Sequence, residues 1–215
     1  MARKKEFAIG SLLILVVTLA YIFGWSGIFA VKSITVIGND KQISESQVIA
    51  LTGIHNGEKL ARIDIRKVSL ENFNWIKRIE VRKNWWQGEV TLKVVTRNPV
   101  ARSGTHFVDD EGYIFDPPIP PTAKLPQFNF ASNSDRKAAA VFFTALPIEF
   151  STNISEVAPG YAITLPMSNK TYLILWGENI NNSLKIKVFT RLIALPENKN
   201  ISKIDLSDPT KPVVK

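Results

Sequence analysis

Residues 32–64 read KSITVIGNDKQISESQVIALTGIHNGEKLARID, and this stretch decides the fold. Lys32 to Ile37 alternates and is β-branched, which predicts a strand. Gly38-Asn39 ends it. Ser44 with Gln47 three residues on forms a capping box, and Ile43 with Val48 forms a hydrophobic staple. The helix so started carries Val48 and Leu51 and stops at Gly53. Asp64 is a second cap, stapled by Ile63 and Val68, for a helix ending near Phe73. Trp75–Arg82 then reads as a strand with Ile79 and Val81 on one face. Val90, Leu92 and Val94 alternate with Thr91, Lys93 and Val95 in another, and Gln87-Gly88 makes the turn between them. The predicted order is β-α-α-β-β.

Outward from this stretch, the N-terminal side is apolar. Phe7 to Val31 is 25 residues without a charge, between Glu6 and Lys32. At about 1.5 Å per residue such a run is long enough to cross a hydrocarbon core of about 30 Å. Tyr21 and Trp25 lie toward its far end, where amphipathic rings favour the headgroups. A cleaved signal has a shorter apolar core and small residues at the cleavage site, whereas Ile28 would sit at −3 to Ala30. Arg3, Lys4 and Lys5 before the run predict a cytoplasmic N-terminus. The expectation is a single-pass type II protein. It has a tail at 1–6, a transmembrane helix at 7–30, a first domain at 31–99 and a distal domain at 100–215.

Composition narrows the chemistry. The 215 residues carry 27 Lys and Arg against 19 Asp and Glu, with no cysteine and two histidines. Disulfides, zinc-thiolate sites and cysteine nucleophiles are therefore excluded. His55 and His106 are too far apart for the usual His-rich metal motifs. No Gly-x-Ser-x-Gly or phosphate-cradling glycine loop occurs. The basicity is concentrated in 31–99, with 12 basic residues against 7 acidic. Arg62, Arg66, Lys67, Lys77, Arg78, Arg82 and Lys83 stand out there. They read as a solvated surface, interspersed with Glu58, Glu71 and Glu80. Trp85 and Trp86 beside the turn are expected to pack across the sheet.

Beyond residue 100, Phe107–Phe115 reads as a hairpin whose turn holds Asp109, Asp110, Glu111 and Gly112, an exposed acidic turn rather than a cation site. Five prolines between 116 and 126 predict an extended loop. A helix from about Ser134 should turn Ala138, Val141, Phe142 and Ala145 inward. Strands are expected at 154–158, 161–165 and 171–176, and a helix over 184–193 with Ser183 as cap. Ile201–Leu206 should be a strand, and Val213-Val214 a final extended piece. The sequons at Asn153, Asn169, Asn181 and Asn200 are read as chance. The fold class is α+β, the distal part mostly antiparallel with flanking helices.

An ordered set of residues resembles the FtsQ/DivIB family of bacterial division proteins, with a POTRA domain after one N-terminal span. The set runs Gly38-Asn39, Ile43-Ser44, Gly53-Ile54, Gly57 to Leu60, Trp75-Ile76-Lys77, Arg82 with Trp85, and Pro99-Val100-Ala101. It continues with the strand-Asp-x-x-Gly-strand unit at 109–112 and the closing Ile204-Asp205-Leu206. The chain departs from the family in Trp85-Trp86, where Trp-Pro is usual, and in Thr96-Arg97-Asn98, where a Glu is usual.

The resemblance implies a non-enzymatic scaffold at the division septum. It would link early division proteins to FtsB and FtsL and to septal cell-wall synthesis, with no cofactor, nucleic acid or small-molecule substrate. The competing reading is a membrane-anchored extracytoplasmic enzyme acting on cell-wall material, since a carboxylate-pair hydrolase stays open on sequence alone. The resemblance also implies that FtsB docks on the distal domain near the closing strand. Ile201, Lys203, Ile204, Asp205, Leu206, Val213 and Val214 are the candidate residues. An unpaired strand edge there would be a template for an added strand.

Overall fold

A computed structural model describes residues 2–24, 27–38, 42–65, 68–167 and 170–215, with side chains from residue 10 and, in the first helix, as far as residue 21. The side chains of Arg3, Lys4 and Lys5 lie outside that description, as do Trp25, Asn39, Arg66, Lys67 and Asn169 of its sequon. The chain divides into two compact units, Met1–Thr96 and Arg97–Lys215.

Unit 1 opens with helix α1, Ala2–Gly24. Among the described residues no helix is long and apolar enough to cross a membrane. The expected span to residue 30 is also too long at its far end. Gly27–Phe29 is a separate 3-10 turn, Ala30 bridges Lys59, and Val31 is 2% exposed in the core. Val31 donates its N–H to Glu58 O, and its own carbonyl accepts from Gly57 N–H.

Strand β1 (Ser33–Ile37) and helix α2 (Glu45–Thr52) follow. Both halves of the capping box form: Gln47 N–H donates to Ser44 Oγ, and Ser44 N–H to Gln47 Oε1. Gly53 ends the helix in the left-handed region at φ 68°. Strands β2 (Ile76–Asn84) and β3 (Glu89–Thr96) complete a three-stranded sheet in the order β1-β3-β2, with β1 parallel and β2 antiparallel to β3. Val36, Val48, Leu60, Trp75, Ile76, Ile79, Val90, Leu92 and Val94 fill the core.

The second helix, expected from Asp64, is not found among the described residues. Short 3-10 turns at Leu60–Arg62 and Glu71–Phe73 stand in its place. The backbone closes on the tighter pattern here: Val68 N–H donates to Ile65 O, three residues back, instead of to Asp64 O. Upstream of Asp64 the Lys83 ammonium holds the carbonyls of Leu60 and Ile63 at 2.8 and 3.1 Å. Trp85 and Trp86 do not pack across the sheet as a pair. Trp85 meets Phe29 edge-on at 5.9 Å, and Trp86 is 88% exposed.

Unit 2 is built on a nine-stranded sheet. Its strands are β4 (Pro99–Ser103), β5 (His106–Asp109), β6 (Ile114–Phe115), β7 (Gln127–Phe128), β8 (Glu156–Ala158), β9 (Ala162–Met167), β10 (Lys170–Leu175), β11 (Lys203–Asp205) and β12 (Val213–Val214). The order is β12-β11-β10-β9-β8-β7-β4-β5-β6. Helices α3 (Asn133–Thr144), α4 (Ile148–Ser151) and α5 (Asn182–Ala194) complete the unit. The connection through α5 makes β10 and β11 parallel neighbours. The core gathers Phe128, Phe142, Val157, Ile163, Ile174, Trp176, Phe189, Ile204 and Leu206.

Two helix details differ from expectation. α3 buries Ala139, Ala140 and Phe142, while Ala138, Val141 and Ala145 are exposed. Its cap is Ser132, and Arg136 donates to the carbonyls of Gly112, Phe130 and Ala131, which sets the rotation of the helix. α5 starts after Asn181, not Ser183, because the Asn182 side chain is drawn to Trp176: the indole N–H donates to Asn182 Oδ1 at 2.9 Å.

Candidate partner-binding edge

β12 is the outer strand of the large sheet, and β11 lies one strand in. Ile204 faces Val214 and Asp205 faces Val213 in an antiparallel register. Ser202 and Lys203 donate their N–H groups to Lys215 O at 2.8 and 3.0 Å, and Lys215 N–H returns to Lys203 O at 2.9 Å. Lys203 and Lys215 thus exchange two bonds. In an antiparallel ladder the next pair makes none. Ile204 and Val214 are that pair, so the N–H and C=O of Val214 point away from β11.

The seven candidate residues separate by side chain. Ile201, Ile204 and Leu206 belong to the buried core. Lys203, Asp205 and Val213 line a groove of about 130 Å³ together with Leu175 and Lys215. The backbone of β11 is used on both sides, since Leu206 N–H donates to Leu175 O and Leu173 N–H to Ser202 O. A strand added to this sheet end would therefore pair with β12. The outward donor is Val214, not Lys203 or Asp205. Pro212 brings no N–H of its own.

Two carboxylates hold the turn that returns β11 to β12. Asp205 Oδ1 accepts from Ser207 N–H at 2.9 Å, and this bond holds its carboxyl below the usual carboxylate range. Asp208 Oδ1 accepts from the Thr210 hydroxyl at 2.6 Å and from Thr210 N–H at 2.9 Å, which lowers its pKa as well. Behind the strands lies Lys185, a residue that sequence reading placed only as part of a helix. It is fully buried, and its Nζ donates to Trp176 O and Glu178 O at 2.6 and 2.9 Å. Burial pulls its pKa below the ordinary 10.5, against the attraction of Glu178 and Asp205. The signal was present: Lys185 sits four residues before Phe189, on the buried stripe of α5.

The other titratable candidates lie apart from this edge. Asp109, expected on an exposed turn, is fully buried. It accepts from Arg97 Nη1 at 2.5 Å and from the N–H groups of Glu111 and Tyr113. The turn itself does this: the N–H groups of Glu111 and Tyr113 draw the carboxylate back over its own loop, where Arg97 covers it. His106 Nδ1 lies 2.8 Å from Asp116 Oδ1, with both side chains about half exposed. His55 Nδ1 lies 3.2 Å from the neighbouring Asn56 carbonyl in a loop.

Comparison with known families gives two matches. Residues 29–97 are similar to the POTRA domain, FtsQ-type. Residues 100–207 are similar to the family described as Cell division protein FtsQ/DivIB, C-terminal. Among curated proteins no match is found.

Proposed function

The chain belongs to the FtsQ/DivIB family of cell-division proteins, and from that membership we propose that it is a non-catalytic scaffold. It links early division proteins to FtsB and FtsL and, through them, to septal cell-wall synthesis. The observation that carries this reading is the outer strand β12. It offers the backbone of Val214 outward, beside a groove walled by Lys203, Asp205, Val213 and Lys215. Such an edge suits partners that add a strand, with backbone bonds giving affinity and the flanking groove giving selectivity.

A membrane position at the division septum is part of the proposal. Its support is the uncharged run from Phe7 and the basic residues before it, which orient a span with its N-terminus in the cytoplasm. The distal unit then lies outside the cytoplasm, where cell-wall synthesis takes place. A fluorescent fusion of the full chain in dividing cells tests the function. The expected result is accumulation at midcell that coincides with FtsB and FtsL. An even distribution around the envelope throughout division would overturn it.

A further inference from the structure

The tip of the β2–β3 turn carries Trp86, whose ring is 88% exposed. Tryptophan is enriched at interfaces and in membrane-interface belts, where one end of the ring is apolar and the other wet. The tip is not isolated. Phe29 meets both tryptophans edge-on, Trp85 at 5.9 Å and Trp86 at 6.4 Å. Ile28 beside it is 60% exposed. Together they make an apolar point formed from two segments of unit 1.

The backbone locks those segments together. Lys32 N–H donates to Gly88 O at 2.7 Å, and Gly88 N–H donates to Asn84 O at 2.9 Å. Gly88 has φ 70°, and a Cβ there would lie 2.6 Å from Ala30 O. Only glycine permits that approach. The turn is therefore fixed against the residues that follow α1. Ile28 is four residues past Gly24, so covalent geometry keeps it within about 14 Å of the end of that helix.

Charge around the point has one sign in excess. Lys32 packs its stem over Gly88, and Lys59 bridges Ala30 through its backbone. With Arg62 and Arg82 on the same segments these are four basic residues, apart from Lys83, whose ammonium is held by the Leu60 and Ile63 carbonyls, against the acids Glu58 and Glu89. Aromatic rings at the tip with cations behind them fit one environment: the headgroup layer of an anionic bilayer. There the rings sit among glycerol and carbonyl groups and the cations meet phosphate.

We propose that Trp86, with Ile28 and Phe29, inserts into the headgroup layer of the membrane that the N-terminal run enters, and so fixes unit 1 against the lipid surface. This rests on the membrane position proposed above. The occupant is lipid because the point lies within a few residues of that apolar run.

The chain has no cysteine, so a single introduced thiol takes a fluorescent label at one place only. The full chain is reconstituted in vesicles of phosphatidylethanolamine and phosphatidylglycerol containing a lipid with a nitroxide in its upper acyl chain. Labels are placed by Gln87→Cys at the tip and Leu15→Cys in α1, and each sample is compared with the same vesicles without the nitroxide lipid. The expected result is loss of emission at positions 15 and 87. The loss at 87 should fall severalfold when Trp86→Ala is added. Trp86 is exposed, so this substitution leaves the core intact. Quenching at 15 but not at 87 would overturn the inference and leave the membrane position standing. No quenching at 15 would overturn both. Quenching at 87 that ignores Trp86→Ala, or a shielded label at 87 only at high protein density, would also overturn it. The last result would indicate a second copy of the chain as the occupant.

Discussion

The Nζ of Lys185 lies 2.6 Å from the carbonyl oxygen of Trp176, and neither side chain is exposed. An ammonium this deep is costly unless its hydrogen bonds are satisfied. Trp176 and Glu178 supply two of them at the end of β10, where the chain leaves the sheet for α5. One side chain of α5 thereby closes the connection on which β11 and β12 depend.

Lys185→Met should lower the stability of unit 2 by about 2–4 kcal/mol, because two carbonyls lose their donor while the volume is kept. Urea unfolding followed by tryptophan fluorescence measures it. The pH response carries a sign. The pKa of Lys185 lies below 10.5 in the folded chain. In the window just below 10.5 the unfolded chain therefore holds this proton more fully than the folded one. Stability relative to Lys185→Met should rise with pH across that window. A difference that falls there would mean the ammonium is preferred in the fold.

Asp109→Ala should cost about 3–5 kcal/mol, since it leaves the Arg97 guanidinium without its buried carboxylate. Arg97 also lies 4.0 Å from the centre of the Tyr113 ring, so Arg97→Ala removes packing as well as charge. Asp109→Asn keeps an acceptor for the N–H groups of Glu111 and Tyr113 and should cost less than Asp109→Ala. Equal losses in denaturant titrations would show that those two bonds contribute nothing.

Gly112→Ala and Gly104→Ala make a matched pair. Both glycines have positive φ, 77° and 63°. A Cβ at 112 would lie 2.3 Å from Lys137 N, whereas at 104 it would meet nothing within 4 Å. Gly104→Ala should therefore cost only the left-handed strain, about 1 kcal/mol. Gly112→Ala should cost clearly more, because α3 must move away from the β5–β6 turn. Thermal unfolding of the two variants side by side gives the answer.

Val214→Pro should weaken the proposed binding of FtsB while the fold survives. It removes one outward N–H, worth about 0.5–1.5 kcal/mol, which raises Kd by up to about tenfold. Lys203→Pro should behave differently, since its N–H is given to Lys215 O inside the sheet. It should loosen β12 itself, visible as faster amide exchange at Lys215. Binding unchanged in Val214→Pro would rule out strand addition at this edge.

Short-range patterns were the legible part of the sequence. The capping box at Ser44 and Gln47, the turn glycine at 88 and the alternation in β3 all depend on residues a few positions apart. What failed needed distant partners. The buried face of α3 is set by Arg136, which donates to the Gly112 carbonyl, 24 residues away. Asp109 looked like one of three solvated acids because its partner, Arg97, lies 12 residues earlier. At the candidate edge the strands were legible but their order was not. Which of β11 and β12 lies outermost is decided by pairing, and composition is silent on pairing.

The parallel pairing of β1 with β3 has a mechanical consequence. Val31 and Lys32 tie the segment after α1 to Glu58 and Gly88, and Ser33 to Ile37 then run in step with Glu89 to Lys93. Tension applied through α1 is directed along β1. It loads the registered pairs together, in shear, instead of peeling them one at a time. Resistance to such a force is set by the unfolding rate and not by equilibrium stability. Unit 1 is thus shaped to hold under a pull from its N-terminal side even if its small core leaves it only modestly stable at rest.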